Sequence, residues 1–279
     1  MNTFLLNILK KIYIKIYYLF TKTLFTREFL EIVLEKSWQE IFLVRHNGIE
    51  LQFTTPNALN KFRAETFSTK EPETLEWIDS ITSTQILWDI GANVGLYSCY
   101  AAKSRGCKVF AFEPSIFNLE LLARNVHLNK LSNSIIIIPI PLCEGLSFNK
   151  FNMSFIGWGG ALSTFGKEYG HDGKKLNKVF EYQLLGLSMD EAIDRLFIPQ
   201  PDFIKMDVDG LEQLILAGGN KTLKKVKSIS IEVNEDFQEQ SLNCEILLKE
   251  AGLKFKGKKH SEMFNGGQYK NTFNQVWER

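Results

Sequence analysis

From about residue 85 onward, the chain alternates short apolar segments with helical patterns, and this alternation restricts the fold more than any other feature. Five segments have the length and composition of buried strands: residues 85–90, 107–112, 135–140, 203–206 and 228–233. Amphipathic helical patterns occupy residues 95–104, 115–129, 188–196, 211–226 and 235–251. Strands that alternate with helices form parallel sheets with right-handed crossovers. The sequence therefore predicts an α/β fold with a doubly wound, mostly parallel sheet.

Two further strand-like segments, residues 253–256 and 273–277, have no helix between them. They predict an antiparallel hairpin at one edge of the sheet, which brings the sheet to seven strands. We divide the chain into an N-terminal helical extension, residues 1–45, and a main domain, residues 46–279. A glycine- and aromatic-rich insertion is predicted at about residues 146–180 of the main domain.

The N-terminal region is predicted to be mostly helical, with one hairpin around residues 42–54. Its first 25 residues are rich in aliphatic and aromatic side chains. Because Lys10, Lys11, Lys15 and Lys22 interrupt them, no uncharged run reaches membrane-spanning length. We expect a helix that packs on the main domain or forms a homodimer, with peripheral membrane contact as the alternative.

Net charge and cysteine content exclude several functional classes. The net charge of +1 gives no electrostatic reason to expect a nucleic-acid partner. The 4 cysteines have neither a CxxC pair nor the spacing of zinc ligands, and we expect no metal site. Cysteines scattered through apolar and helical stretches are typical of reduced thiols in a cytoplasmic protein.

A glycine-rich turn follows the first strand, in the segment DIGANVGLYS at residues 89–98. In a doubly wound sheet, ligands bind beyond the carboxyl ends of the strands, where this turn lies. The turn lacks the Gly-Lys-Ser/Thr of a P-loop, and Asn93 and Leu96 stand where a dinucleotide-binding turn requires glycines. Asp89 would repel a pyrophosphate and suits a cationic cofactor such as S-adenosylmethionine. Glu113, which ends the second strand, can accept both hydroxyls of a ribose.

Several more segments in sequence order carry a family pattern. VFAFEPSIFNLELLARNVHLN (109–129) combines Glu-Pro after the second strand with an asparagine-containing helix. DFIKMDVDGLEQLILAGG (202–219) and SISIEVN (228–234) contain the fourth and fifth strands, and FRAETFSTKEPETLEWID (62–79) precedes the glycine turn. With DIGANVGLYS and the final TFNQVWER, they resemble the FkbM family of class I S-adenosylmethionine-dependent methyltransferases. The resemblance covers roughly residues 50–279 and implies a Rossmann-like fold.

The resemblance also implies an activity and a cofactor site. The expected activity is methyl transfer from S-adenosylmethionine to an oxygen, often of a sugar hydroxyl in a polysaccharide or a natural product. The positions that match the cofactor-binding residues of the family are Asp89, Gly91, Asn93 and Gly95 for the methionine end, Glu113 and Pro114 for the ribose, and Leu142 and Glu144 for the adenine.

Carboxylates at the ends of the fourth and fifth strands are the candidate catalytic groups. A sugar hydroxyl is a poor nucleophile and gains from a base that removes its proton. Alternation places Asp207 and Asp209 on the same side of the strand, and nearby carboxylates raise each other's pKa, which suits one of them as the base. Glu232 ends the fifth strand, faces the same cleft and is a further candidate. The alternative for either aspartate is a helix cap or a hydrogen bond to the cofactor.

Four residues are predicted to bind the acceptor. Arg63, Lys70 and Glu71 lie in the segment that precedes the glycine turn, and we expect them to line the acceptor or cofactor entrance. Trp158 stands between two glycines in the insertion, which we expect to cover the acceptor as a lid. An aromatic side chain flanked by glycines is suited to stacking on a sugar ring, and equally to anchoring a loop.

The sequence also bears on three other functions. An NAD-dependent sugar-modifying enzyme would require the glycines that the turn lacks. A nucleic-acid base methyltransferase would typically carry Asn/Asp-Pro-Pro-aromatic after the fourth strand, where DVDG stands instead. A non-catalytic binding module stays open, because a fold does not fix a function.

Overall fold

The computed structural model describes residues 3–22 and 24–279 of the chain. Its α-helices are α1 (Thr3–Phe20), α2 (Leu24–Trp38), α3 (Ala58–Glu65), α4 (Phe67–Lys70), α5 (Pro72–Asp79), α6 (Leu96–Tyr100), α7 (Ile116–Leu128), α8 (Met189–Leu196), α9 (Glu212–Ala217), α10 (Asn220–Leu223) and α11 (Gln238–Glu250). Its strands are β1 (Ile41–His46), β2 (Ile49–Thr54), β3 (Ile86–Ile90), β4 (Lys108–Phe112), β5 (Ile135–Ile138), β6 (Ser147–Met153), β7 (Ser163–Phe165), β8 (Phe180–Gly186), β9 (Phe203–Met206), β10 (Ser228–Asn234), β11 (Lys254–Lys259) and β12 (Thr272–Glu278).

Within these residues, the central sheet has seven strands in the order β11-β12-β10-β9-β3-β4-β5. The five strands β5, β4, β3, β9 and β10 are parallel, whereas β12 is antiparallel to both β10 and β11. The predicted doubly wound sheet with an antiparallel edge hairpin is therefore confirmed. The neighbours of β3 are β4 on one side and β9 on the other, so the carboxyl end of β3 lies at the switch point where such sheets bind ligands.

Both faces of this sheet are buried, which explains why its strands are nearly continuous apolar runs. Leu87 and Phe203 point to one face and belong to a core shared with the β1–β2 hairpin, α5 and α7. Trp88 and Ile204 point to the other face and pack with α8, α9 and α11. Because side chains alternate along a strand, Asp89 and Lys205 point to the same face as Leu87 and Phe203, which is the face covered by the β1–β2 hairpin.

Glycine and proline shorten two of the predicted elements. The helix expected over residues 211–226 is divided into α9 and α10 at Gly218 and Gly219. A Cβ atom at Gly218 would lie 2.4 Å from the carbonyl oxygen of Cys143, so close packing explains the glycine there. The third strand ends at Ile138 because Pro139 has no amide hydrogen to donate.

The predicted insertion contains strands that the sequence did not indicate. β6, β7 and β8 form a three-stranded antiparallel sheet, and the loop of residues 154–162 connects β6 to β7. We call this connection the partition loop. Most of β8 is only partly buried, so its side chains lack the apolar pattern of the central strands.

Of the described N-terminal residues, most belong to α1 and α2, and α2 ends at Trp38, just before the β1–β2 hairpin. The hairpin pairs Ile41 with Thr54 and His46 with Ile49, so it spans the predicted domain boundary after residue 45. Every residue from 7 to 18 is exposed. The expectation that this segment packs on the main domain is therefore wrong over residues 7–18. Among the described residues, no helix is both long and apolar enough to cross a membrane.

Candidate active site

The glycine turn after β3 brings the ends of β3 and β9 into contact. Gly91 has φ +84°, and a Cβ atom there would lie 1.9 Å from the carbonyl oxygen of Asp207. Gly95 has φ +81°, and a Cβ atom there would lie 2.3 Å from Cδ1 of Leu122. Both positions therefore exclude a side chain. At Gly91, the absence of a side chain lets the backbone of Asp207, just after the neighbouring strand β9, approach closely.

Asp89 lies at the base of this turn and is 1% exposed. Its Oδ2 accepts a hydrogen bond of 2.5 Å from Ser98 Oγ, and its Oδ1 lies 3.5 Å from Lys205 Nζ. Asp89 is not among the residues that line the two cavities described below. A direct contact between Asp89 and a cofactor therefore stays a prediction, while the side chain has a structural role in holding the turn.

Lys205 is a buried cation that the sequence reasoning missed. Its ammonium lies 3.5 Å from Asp89 Oδ1, 3.5 Å from Asp207 Oδ2, and 5.3 Å from the centre of the Tyr97 ring. Burial alone would lower the pKa of Lys205, but the carboxylates of Asp89 and Asp207 outweigh burial and raise it. The sequence feature that could have identified Lys205 is a lysine within the otherwise apolar strand β9.

Glu113 lies at the carboxyl end of β4, next to the turn. Its two carboxylate oxygens each accept a hydrogen bond of 2.8 Å, from the amides of Asn93 and Ser115. Burial raises the pKa of Glu113 to about 7, although these hydrogen bonds oppose the shift. The carboxyl group still lines a cavity, so it combines support of the glycine turn with access to a ligand.

Two adjacent cavities open at this end of the sheet. The larger has a volume of about 480 Å³ and the smaller a volume of about 70 Å³. The smaller one contains Glu113, Pro114 and Leu142 in its wall, whereas the exposed Glu144 is not part of it. Both cavities share the following wall residues: Gly91, Asn93, Gly160, Ala161, Asp207 and Asp209.

The partition loop lies between the cavities and is held from both sides. The carbonyl oxygen of Gly160 accepts hydrogen bonds from Asn93 Nδ2 at 2.9 Å and Asn118 Nδ2 at 3.0 Å. The amide of Leu162 donates to Asp209 Oδ2 at 2.6 Å. These bonds connect the loop to the glycine turn, to α7 and to the end of β9. The loop therefore separates the space near Glu113 from the large cavity.

Trp158, in the same loop, points away from both cavities. Its ring contacts that of Trp38 at a centroid distance of 4.3 Å, and its carbonyl oxygen accepts hydrogen bonds from Asn57 and Asn60. Trp158 is not among the wall residues of either cavity. In this structure it anchors the loop, which is the second of the two roles expected from its glycine neighbours.

The three candidate catalytic carboxyl groups meet at the large cavity, in different states. Asp209 has φ +58°, and burial and the neighbouring Asp207 raise its pKa to about 6. Burial, Asp207 and Glu71 raise the pKa of Glu232 well above its usual range. Asp207 is 30% exposed and faces both cavities. Asp207 and Asp209 both line the two cavities, but Oδ2 of Asp209 already accepts the hydrogen bond from the amide of Leu162.

Arg63, Lys70 and Glu71 also line the large cavity, and their contact with an acceptor or a cofactor stays a prediction. Lys70 forms an ion pair with Glu71. Burial alone would raise the pKa of Glu71, but the charges of Lys70 and Lys205 lower it. Arg63 donates to the carbonyl oxygen of Gly159 at 2.8 Å. The Nε atom of Arg63 is buried, and no atom of the described residues accepts a hydrogen bond from it.

Aromatic side chains form part of the remaining wall of the large cavity, and the sequence reasoning did not identify them. Its aromatic members are Phe62, Phe67, Tyr97, Phe155 and Tyr269. His260 also contributes, stacked on Phe273 at a centroid distance of 4.5 Å. Among the residues that the structure describes, no three side chains of the metal-binding types lie close enough together to hold a metal ion.

The doubly wound sheet, the glycine turn at its switch point and the acidic ends of β4 and β9 together define a class I methyltransferase fold. The chain belongs to the FkbM methyltransferase family, because the family model described as "Methyltransferase FkbM domain" matches residues 89–263. The resemblance inferred from the sequence motifs is thereby confirmed.

Two individual comparisons agree with this assignment. The chain is 25% identical over 207 residues to the hexuronic acid methyltransferase AglP of Haloferax volcanii, a match that covers 74% of this chain and 79% of that protein. Its fold resembles the crystal structure of a methyltransferase FkbM from Methylobacillus flagellatus, with a TM-score of 0.50 and 15% identity. That match covers 81% of this chain and 54% of the solved chain, so this chain spans about half of that structure.

Proposed function

We propose that this protein is an S-adenosylmethionine-dependent O-methyltransferase that acts on a sugar hydroxyl in polysaccharide or natural-product biosynthesis. The observation that carries the proposal is the position of Asp207, whose carboxylate faces both cavities at the switch point of the sheet. A methyl donor in one cavity and an acceptor in the other would meet beside this side chain. The family assignment supports methyl transfer, and the AglP relative supports a sugar acceptor.

The residues around the two cavities fit the proposed cofactor. S-adenosylmethionine, when bound, supplies a methyl group on a positively charged sulfur. Acidic side chains in the shared wall and in the large cavity suit its sulfonium and ammonium charges, and the buried carboxyl group of Glu113 suits a ribose diol. Gly91 contributes no side chain to the shared wall. Glu113, Pro114 and Leu142 would hold the nucleoside.

The partition loop has to move for this binding mode. A cavity of about 70 Å³ has room for only a few water molecules, which occupy about 30 Å³ each in the liquid. A nucleoside in contact with Glu113 therefore requires Gly160 and Ala161 to withdraw from the shared wall. The hydrogen bonds to Asn93, Asn118 and Asp209 would break in this movement.

Asp207 would act as the general base. Asp209 accepts a hydrogen bond from the amide of Leu162, and burial and nearby carboxylates raise the pKa of Glu232 well above its usual range. Asp207 retains a partly exposed carboxylate, which Lys205 holds in place. Removal of the acceptor proton by a positioned base contributes about 10²–10⁴ to a rate. Alignment of the acceptor oxygen by the walls of the large cavity supplies the rest.

The large cavity suits a sugar. Its aromatic side chains offer ring faces, and its charged side chains, among them Arg63, offer hydrogen bonds to hydroxyls. The relative named for hexuronic acid raises a second acceptor atom, the carboxylate oxygen of a uronic acid. These two acceptors give different products, a methyl ether and a methyl ester.

The test uses S-adenosylmethionine with a labelled methyl group and a panel of neutral and uronic-acid oligosaccharides. We expect label in the sugar fraction that survives mild alkali, because an ether resists the hydrolysis that cleaves an ester. Label that alkali releases would move the acceptor to a carboxylate. No transfer to any sugar, together with binding of S-adenosylmethionine, would overturn the sugar acceptor. The same assay is applied to the variant Asp207→Asn. Its matched control is Asp236→Asn, at an exposed aspartate of the main domain.

A further inference from the structure

Helix α1 carries two adjacent rows of exposed apolar side chains. Residues four apart lie on one face of a helix, and two such rows run side by side here. Their exposed fractions range from 38% to 73%. The rows are Ile8, Ile12 and Ile16, and next to them Leu9, Tyr13 and Tyr17. Apolar surface of this extent is not found on a helix that water alone surrounds.

A polar row lies on the other side of α1. Asn7, Lys11 and Lys15 are again four residues apart, about 160° around the helix from the row that begins at Leu9. Lys10 and Lys22 add two further cations, and residues 3–22 contain no aspartate or glutamate. Ile14 and Tyr18 lie on this side as well, so it is mixed, and the charges of the helix all have one sign.

This charge pattern indicates which surface covers the apolar rows. A second copy of α1 would bring further lysines to the contact and no carboxylate of its own to pair with them. An anionic lipid surface offers acyl chains to the apolar rows and phosphate groups to the lysines. The exposed rings of Tyr13, Tyr17 and Tyr18 are of the type enriched at membrane interfaces.

We propose that α1 lies in the headgroup region of an anionic phospholipid bilayer, with the isoleucine and leucine–tyrosine rows toward the acyl chains. The N-terminal region contacts the main domain at the end of α2, where Trp38 packs on Trp158 of the partition loop. Membrane binding of α1 would thus hold the main domain close to the bilayer. The proposal does not depend on the methyl-transfer function.

The test is flotation of the full chain with vesicles of phosphatidylcholine alone and of phosphatidylcholine mixed with phosphatidylglycerol. We expect the chain to float with the mixed vesicles and to bind phosphatidylcholine much more weakly. Ile12→Glu should weaken binding to the mixed vesicles about tenfold or more, because it removes an apolar side chain that the bilayer would bury. Replacement of Lys10, Lys11 and Lys15 by glutamine should weaken binding about a hundredfold, at about fivefold for each lysine.

The matched control is Ile246→Glu, at an isoleucine of α11 that is 43% exposed, close to the 49% of Ile12. This variant should float like the unaltered chain. Absence of binding to the mixed vesicles, or equal losses in the Ile12 and Ile246 variants, would overturn the proposal. Light scattering adds a further outcome: a dimer that Ile12→Glu dissociates would assign the apolar rows to a second copy of the chain. Binding of S-adenosylmethionine by the Ile12 variant should equal that of the unaltered chain.

Discussion

Lys205 and Asp89 are register partners on the adjacent parallel strands β9 and β3, and their charged atoms lie 3.5 Å apart. Their side chains are 5% and 1% exposed, so the pair is buried. The same ammonium lies 3.5 Å from Asp207 Oδ2. Lys205 thus connects the base of the glycine turn with the carboxylate that faces both cavities, and we regard it as the positioning residue of the site.

The first prediction concerns the stability that this pair provides. Lys205→Met leaves Asp89 buried without its counter-ion, and we expect the free energy of unfolding to fall by about 3–5 kcal/mol. The double variant Asp89→Asn, Lys205→Met should recover most of this loss, because the fully buried carboxylate is removed and the Asp207 carboxylate that remains is partly exposed. Urea denaturation measures both. Lys227→Met removes an exposed ion pair with Asp202 and should change stability by less than about 1 kcal/mol. Equal effects of the two lysine variants would contradict the account.

The second prediction is a pH dependence of stability. The pKa of Glu113 is about 7 in the folded protein, against about 4.3 for an unperturbed glutamate. The folded state therefore binds more protons between these values, and the free energy of unfolding falls as the pH rises from about 4.3 to about 7. Glu212, whose pKa burial also raises to about 7, adds to the same slope.

Glu113→Gln should remove the part of this slope that Glu113 contributes, and Glu212→Gln the part that Glu212 contributes. Denaturation at a series of pH values between 5 and 8 measures the slope, with the exposed Glu245→Gln as the control. A slope that is identical in Glu113→Gln and in the unaltered protein would show that this carboxyl group titrates normally.

The third prediction separates the base from the cofactor site. Asp207→Asn keeps the shape and hydrogen-bonding capacity of the side chain but removes the base, so methyl transfer should fall by about 10²–10⁴. Binding of S-adenosylmethionine should change little. If binding is lost instead, Asp207 is a cofactor ligand, and the base is Asp209 or Glu232. If neither quantity changes, the turn after β9 has only a structural role.

The sequence predicted the central sheet well, because strands buried on both faces are apolar over their whole length. β3, β4, β9 and β10 lie within a residue or so of their predicted bounds. β8 was missed because most of its side chains are only partly buried, so no alternation marked it. The break at Gly218 depends on contact with Cys143, a residue that is distant in the sequence.

The site was predictable where a motif determines it, and less so where contacts between distant segments determine it. The family pattern located Asp207 and Glu113, which line the cavities. It could not reveal that Asp89 faces Lys205 and Ser98, since register and burial decide where that side chain lies. The ring of Trp158 contacts that of Trp38, and Trp38 belongs to the N-terminal region, which lies outside the family resemblance.

The fourth prediction concerns the N-terminal extension. Removal of residues 1–35 should leave the fold and the binding of S-adenosylmethionine intact, because residues 7–18 are exposed and the sheet begins at Ile86. Trp38 remains in this variant and can still contact Trp158. Circular dichroism and calorimetry check both properties. A truncated protein that folds but no longer binds the cofactor would give the extension a role in the active site.

The central claim is that S-adenosylmethionine binds beside the glycine turn, in contact with Glu113. Calorimetric titration of the protein with S-adenosylmethionine and, separately, with NAD tests it most directly, with Glu113→Ala and Asp89→Ala as variants. We predict binding of S-adenosylmethionine and none of NAD, with a loss of at least tenfold in affinity, about 1.4 kcal/mol, in each variant. Binding of NAD without S-adenosylmethionine, or unchanged affinity in both variants, would contradict the assignment of this site.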